Sequence, residues 1–164
     1  MKNNRGFTLV EILVAVVVLA IGLLGLASLQ ARSLQFNYSA YERSQASLLA
    51  YDIIDRMRAN ATVAAGGAYD IALGANPPGG NDCQVATPVC TTAEMALFDL
   101  TQWKCSLGNF DGNGACNATG RLAQGDGSVV RNGNLITITI RWVDDRTAVG
   151  ANRFTSFTAS TQLL

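Results

Sequence analysis

Histidine is absent from all 164 residues of the sequence. That removes the commonest general base and the commonest zinc ligand. A surplus of positive charge is absent too, since Lys+Arg and Asp+Glu both number 12. Two of the positive residues, Lys2 and Arg5, precede a long apolar run; without them 10 positive side chains face 12 negative ones. Nothing in that balance makes a basic face for phosphate, so no nucleic-acid partner is expected. There is no Gly-rich phosphate loop, and no Ser or Cys stands beside a plausible base. An exported enzyme or ligand-binding domain is therefore the weakest of the functional readings, and neither a cofactor nor a catalytic residue is expected.

Charge is missing where it matters most. Between Phe7 and Gln30 the only charged residue is Glu11, and Ile12 to Ala27 contains no polar side chain. A basic start before such a run marks a targeting or membrane segment. The 23 residues from Phe7 to Leu29 would make a helix of roughly 35 Å, long enough to span a bilayer. Lys2 and Arg5 favour a cytoplasmic N-terminus, which puts the chain beyond Arg32 on the other side. A cleaved signal peptide, with a small-x-small site at Gly25-Leu26-Ala27, and a plain single-span anchor both fit the run. Neither accounts for Glu11. A carboxylate near the start of a membrane helix costs about 2–3 kcal/mol or less, according to depth, and such residues tend to be functional and partnered. Snorkelling to the interface is the bland alternative.

Gly6-Phe7-Thr8-Leu9-Val10-Glu11, behind a short basic leader, resembles the cleavage site of type IV prepilins. The resemblance implies that a membrane peptidase cuts after Gly6 and methylates the new N-terminus, Phe7. It also supplies a partner for Glu11, the ammonium of Phe7 on a neighbouring subunit. Two such charges attract strongly in a low-dielectric helical core, and each is costly alone. Gly22, Gly25 and Ser28 recur every three residues, which suits either close helix packing or glycine merely tolerated in lipid.

Proline and glycine are both absent from Ser28 to Asn60. Leu34, Tyr38, Tyr41, Leu48, Ile53 and Met57 form an imperfect apolar stripe there. Arg32, Gln35, Asn37, Glu42, Arg43, Gln45 and Asp52 fill most of the rest, and Asp52 and Arg56 stand at i and i+4. One helix from Phe7 to about Ala61 is expected, roughly 80 Å long. Its stretch Arg43-Ser44-Gln45-Ala46 … Tyr51-Asp52 … Asp55-Arg56-Met57-Arg58-Ala59-Asn60 resembles PilV-type minor pilins; Phe98-Asp99-Leu100 and Trp103 add scattered agreement. Without that family, Arg56 and Arg58 read as a solvated helix end.

Ala64 to Pro88 is rich in turn residues, among them Gly66-Gly67, Asn76-Pro77-Pro78-Gly79-Gly80 and Asn81-Asp82. Long irregular connections are often functional, and the resemblance to pilins implies an exposed segment here, from which subunit contacts are expected. Thr91-Thr92-Ala93-Glu94 is a capping box opening a helix from Thr92 to about Leu107. Met95, Phe98, Gln102 and Cys105, with Leu100 and Trp103 near them, give its apolar face, and Gly108-Asn109 ends it. Asp111-Gly112-Asn113-Gly114 lacks the ligands of a calcium loop and reads as a turn. Gly127 to Arg131 precedes the hairpin signal Asn132-Gly133. In Leu135 to Val143, Ile136, Ile138, Ile140 and Trp142 alternate with Thr137, Thr139, Arg141 and Val143. Asp144-Asp145-Arg146 turns the chain, and Arg153 to Leu163 returns with Phe157, Ala159 and Leu163 on one face. A meander with one buried face wants a helix over it, and the outer half of the long helix is the candidate.

The four cysteines, Cys83, Cys90, Cys105 and Cys116, read as two disulfides in an exported domain. Three pairings are possible. Cys83–Cys90 with Cys105–Cys116, which closes two short loops, is favoured. Zinc is the rival, but the spacing is not that of zinc ligands, and no metal is expected.

The expected fold is α+β and pilin-like, a long N-terminal α-helix packed on a small antiparallel β-sheet with one short extra helix. Its parts are a leader at 1–6, a transmembrane or filament-core segment at 7–29 and a periplasmic domain at 30–164. The domain divides into the outer helix at 30–61, the loop and short helix at 62–126 and the sheet at 127–164. The resemblance implies a non-enzymatic minor pilin in the bacterial inner membrane and then the pilus, acting in assembly initiation or the tip complex. The major pilin, other minor pilins, the inner-membrane assembly platform and the prepilin peptidase are the implied partners. A minor pseudopilin of a type II secretion system shares the N-terminal motif and is the close alternative. Adhesion, twitching motility and DNA uptake all stay open.

Overall fold

The computed structural model describes residues 8–85, 89–108, 116, 120–144 and 150–162, without the side chains of 151 and 152. Its elements are α1 (Leu9–Ala59), α2 (Ala61–Ala65), α3 (Thr92–Leu107), β1 (Asp126–Asn132), β2 (Leu135–Val143), a 3-10 turn (Gly150–Arg153) and β3 (Phe154–Gln162). This is the expected α+β arrangement of a long N-terminal helix, a three-stranded antiparallel sheet and short extra helices. Two compact units divide the chain, Met1–Ala40 and Tyr41–Leu164.

In the second unit, α1 buries Glu42, Ala46, Leu49, Ala50, Ile53, Ile54 and Met57. The apolar ones join Ile136, Ile138 and Ile140 of β2, with Trp142, in one core. The apolar stripe read from the sequence is therefore displaced. Ile53 and Met57 are buried, but Leu34, Tyr38, Tyr41 and Leu48 are all more than half exposed. The buried face is marked instead by Ala46 and Ala50, whose small side chains permit a close approach that counting large apolar residues does not reveal. Glu42, grouped by sequence with the polar residues, lies on this buried face at 1% exposure.

α1 ends at Ala59 rather than Ala61. Asn60 leaves the helical region (φ −122°, ψ 44°) and α2 begins directly after it. The side chain of Asn60 accompanies that break, since its Nδ2 donates to the Thr92 carbonyl at 2.8 Å and to the Tyr69 hydroxyl at 3.3 Å. Tyr69 in turn donates to Asp99 Oδ2 at 2.6 Å. Asp99 Oδ1 accepts from Arg56 Nη1 at 3.0 Å, as does Gln102 Oε1. Arg56 Nε completes the cluster on Asp52 at 3.0 Å. So Arg56 is not a solvated helix end; it clasps α1 to α3. Arg58, exposed and paired with Asp55, is solvated as expected.

α3 begins with the capping box read from the sequence. Thr91 Oγ1 accepts from the Glu94 N–H, and a Glu94 carboxylate oxygen accepts from the Thr91 N–H. It ends at Gly108, whose φ of 117° lies in the left-handed region. Its buried face is Ala96, Asp99, Leu100, Trp103, Lys104 and Leu107. Met95, Phe98, Gln102 and Cys105 lie at its margins, half-buried; the face is rotated because Asp99 and Lys104 enter the interior with partners. Trp103 donates from Nε1 to the Leu49 carbonyl of α1 at 2.9 Å. Its ring rests on β1 at Gly127, where a Cβ would stand 2.5 Å from Trp103 Cη2 and 2.7 Å from Leu107 Cδ1.

The strand order is β1-β2-β3. β1 and β2 pair from Asp126↔Arg141 to Asn132↔Leu135, so the two-residue connection is Gly133-Asn134. The hairpin falls at the Asn-Gly signal, with Gly133 first in the turn at φ 61°, the place where a type II′ turn demands glycine. Ile136, Ile138, Ile140 and Trp142 are buried on one face as the alternation requires, and Phe157 and Ala159 of β3 pack beside them. Leu163, the turn at Asp144-Asp145-Arg146 beyond its first residue, Asn109 and the turn at Asp111-Gly112-Asn113-Gly114 lie outside the described residues.

Gly127→Ala should force Trp103 off β1, an overpacking that costs about 1–3 kcal/mol. Denaturant unfolding of the detergent-solubilised chain should show the midpoint fall accordingly; an unchanged midpoint would mean that the ring does not sit there. Burial, and next the bond to Asp99, hold the Tyr69 hydroxyl well above the usual tyrosine range. A raised folded-state value stabilises the fold below the unfolded value and ceases to do so as pH climbs through the folded one. In an alkaline titration Tyr69 should accordingly ionise above the usual tyrosine range, together with unfolding.

Candidate functional site

The N-terminal segment holds the residues that sequence reasoning singled out. Thr8 opens α1, accepting the Glu11 N–H on its carbonyl at 3.1 Å and on its hydroxyl at 3.3 Å. Glu11 thus sits in the first turn of the helix, where the macrodipole favours a carboxylate. Gly6 and Phe7 lie outside the described residues. Beyond Glu11 the helix is apolar and exposed. Its most apolar 18-residue window has a mean hydropathy of 2.9 and none of it is buried. That is long and apolar enough to cross a membrane. An added Cβ at Gly22 or Gly25 would meet nothing within 4 Å.

Exposure of this extent is unlike a soluble helix, in which a single apolar stripe faces a core. Large apolar side chains on every side of a helix need lipid or protein around them. Against that surface a carboxylate is the exception, and the arrangement can do one chemical thing well: present an acid for charge pairing inside an apolar layer.

The second unit carries the four cysteines, bridged as Cys83–Cys90 and Cys105–Cys116. One bridge lies in the connection before α3, and the other joins the last turns of α3 to the chain beyond it. They belong to different segments, and they form structural ties, not a reactive pair. Among the described residues no group of three or more His, Cys, Asp or Glu is placed to hold a metal ion.

Sequence reasoning missed a buried ion pair. Lys104, fully buried, donates from Nζ to Asp126 Oδ1 at 2.7 Å and to the Ala72 carbonyl at 3.1 Å. Asp126 also accepts the N–H groups of Gly74 and Gly127. Burial lowers the Lys104 ammonium from its ordinary value, and the bond to Asp126 opposes that shift. The pair ties α3, β1 and the loop after α2 together. A lysine three residues before the end of a helix reads from sequence as a favourable dipole charge, so the only available signal pointed outwards. Glu94 is held below the usual carboxylate range by the Thr91 N–H and hydroxyl. Each of these groups is accounted for by what it holds in place.

Two family models match the chain. One, described as the prokaryotic N-terminal methylation motif, covers residues 1–27. The other, described as type IV pilin Tt1218, covers residues 28–101. No curated protein and no solved structure matches. The first model spans the basic residues before the apolar run, Gly6, Phe7, Glu11 and nearly all of that run. The second spans the outer part of α1, the clasp residues Arg56, Asn60 and Asp99, and the first disulfide. This family is structural and non-enzymatic, and the prepilin motif on an apolar helix indicates membrane anchoring, processing by a peptidase and assembly with other pilins. Matched end to end over residues 1–101 and folded as a long helix on an antiparallel sheet, the chain is a type IV pilin-like protein.

Proposed function

We propose that the chain is a minor pilin of PilV type, made as a prepilin in the inner membrane of a bacterium and built into a type IV pilus. The observation that carries this reading is Glu11, a lone carboxylate in the first turn of an exposed apolar helix, five residues beyond Gly6. In the proposed sequence of events, residues 1–6 are a leader removed after Gly6 and Phe7 is then methylated on its new amine. Residues 7–29 hold the chain in the membrane with the N-terminus cytoplasmic, and residues 30–164 form the periplasmic domain. On assembly, Glu11 of one subunit neutralises the Phe7 amine of its neighbour. Each charge in the apolar layer is unfavourable alone and tolerable as a pair, so the pairing sets the axial register between adjacent helices.

The prepilin peptidase, the inner-membrane assembly platform, the major pilin and other minor pilins are the partners of that cycle. Tyr41, Leu48 and Tyr51 support the reading from the second unit. They are large, exposed and on the α1 face away from the core, a surface suited to subunit contacts. Participation in the complex that initiates assembly or sits at the tip is the role proposed. A minor pseudopilin of a type II secretion system would share the processing and differ in its neighbours. Capture of pilus subunits by the tagged full-length chain supports the first, and capture of secretion pseudopilins supports the second.

Mass spectrometry of the mature N-terminus decides the processing: methyl-Phe7 is expected, whereas a chain beginning at Ser28 would show an ordinary signal peptide. Glu11→Ala should still be inserted and cut, because the cut falls at Gly6, yet its incorporation into fibres should fall by about tenfold or more, the effect of losing over about 1.4 kcal/mol of register energy. Wild-type incorporation of that variant would remove the pairing role.

A further inference from the structure

The two edges of the sheet are treated differently. β1 is guarded: Ile71 bridges Val129 through two backbone hydrogen bonds of 2.9 Å, and Arg131 faces Asp70 beside it. β3 pairs with β2 on one side, and among the described residues no strand or bridge lies on its other side. Its ladder runs through nine successive pairs, Val143↔Phe154 to Leu135↔Gln162, with no bulge. Between Phe154 and Gln162 there is no charged residue and no proline. Charge, proline, bulges and short length are among the means by which edges are kept from pairing, and β3 has none of these four.

The order of residues in β3 says what pairs with it. Thr155-Ser156-Phe157-Thr158-Ala159-Ser160-Thr161 is close to a palindrome in side-chain type. Laid antiparallel on a second copy about Thr158, it sets Thr155 opposite Thr161, Ser156 opposite Ser160, Phe157 opposite Ala159 and Thr158 opposite itself. Ser156, Thr158 and Ser160 are exposed, whereas Thr155, Phe157, Ala159 and Thr161 are half-buried on the core side. Hydroxyl pairs would thus line the outer face, and large-against-small pairs the inner one. Cross-strand Thr and Ser pairs of this kind are favourable, and Thr137 and Ser160 already place their hydroxyls 3.4 Å apart across β2 and β3. Sliding the register by two residues sets Phe157 against Phe157 or against Thr161 and loses that match. We infer that β3 is a self-recognition edge: two copies of this chain pair through antiparallel β3 strands about a two-fold axis at Thr158, joining their sheets into one of six strands. An isologous contact of this sort uses the same patch twice and closes at two subunits. The inference goes beyond the proposed pilin role and does not depend on it.

The test is disulfide trapping in membranes containing the full-length chain, whose described cysteines are all bridged. In Thr158→Cys the two introduced residues face each other, with Cα atoms about 4.5–5.5 Å apart, inside the range of about 4.4–6.8 Å that a disulfide spans. Mild oxidation should convert this variant to a homodimer. Ser156→Cys stands four residues from its counterpart, about 13 Å away, and should stay monomeric. The double variant Ser156→Cys/Ser160→Cys should dimerise again. Adding Thr158→Lys to it, which opposes two like charges on the axis, should lower the dimer yield about fivefold or more. Absence of a Thr158→Cys dimer, equal trapping from Ser156→Cys alone, or an adduct with a protein of different mass would each overturn the proposal.

Discussion

Trp103 is the side chain on which the second unit turns. It belongs to α3, bonds a carbonyl of α1 and lies against β1 where Gly127 leaves room. Three elements distant in sequence are thereby held at one point, and the other ties extend from it. One turn towards the start of α3, Asp99 takes Arg56 and Tyr69. The next residue, Lys104, takes Asp126. A small sheet packed against α1 and α3 has limited apolar area to bury, and interior polar bonds of good geometry contribute most when fully satisfied.

That arrangement explains which features could be read in advance. Local signals held where local chemistry decides: the Thr91–Glu94 capping box, the Gly108 stop and the Asn132-Gly133 hairpin each depend on a few consecutive residues. The alternation of β2 was legible because one face of it is apolar throughout. The α1 seam was not legible, because alanines do the packing there and the large side chains face outwards. Nor was Arg56, whose burial depends on Asp99 and Gln102 more than forty positions away. Lys104 was hidden for the same reason, since Asp126 and the Ala72 carbonyl come from other elements. At the N-terminus the situation is reversed: Glu11 stood out from composition alone, and its placement in the first turn of an exposed helix adds the capping by Thr8.

The two units answer to different surroundings. From Leu9 to Leu29 the helix exposes Leu, Ile and Val on all sides, which is a stable surface in lipid or among like helices and an unfavourable one in water. From Tyr41 onwards the chain makes its own core and covalent ties. A subunit built this way can leave the membrane only into an assembly that replaces lipid with protein around the same residues. In the proposed pairing, the acid near the start of the helix then becomes a constraint on how neighbours align, because a mismatched neighbour leaves a charge without its counterpart.

The burial of Lys104 has a chemical corollary. The chain contains two lysines, Lys2 and Lys104. Lys2 lies in the proposed leader, and Lys104 is sealed against Asp126. If the chain is cut after Gly6 as proposed, no primary amine remains on a side chain that water can reach, and every solvent-facing side-chain cation is a guanidinium. Acylating dyes and amine cross-linkers would pass over the side chains of the folded subunit while marking its lysine-bearing neighbours, and the first lysine label to appear on it would report that the interior had opened.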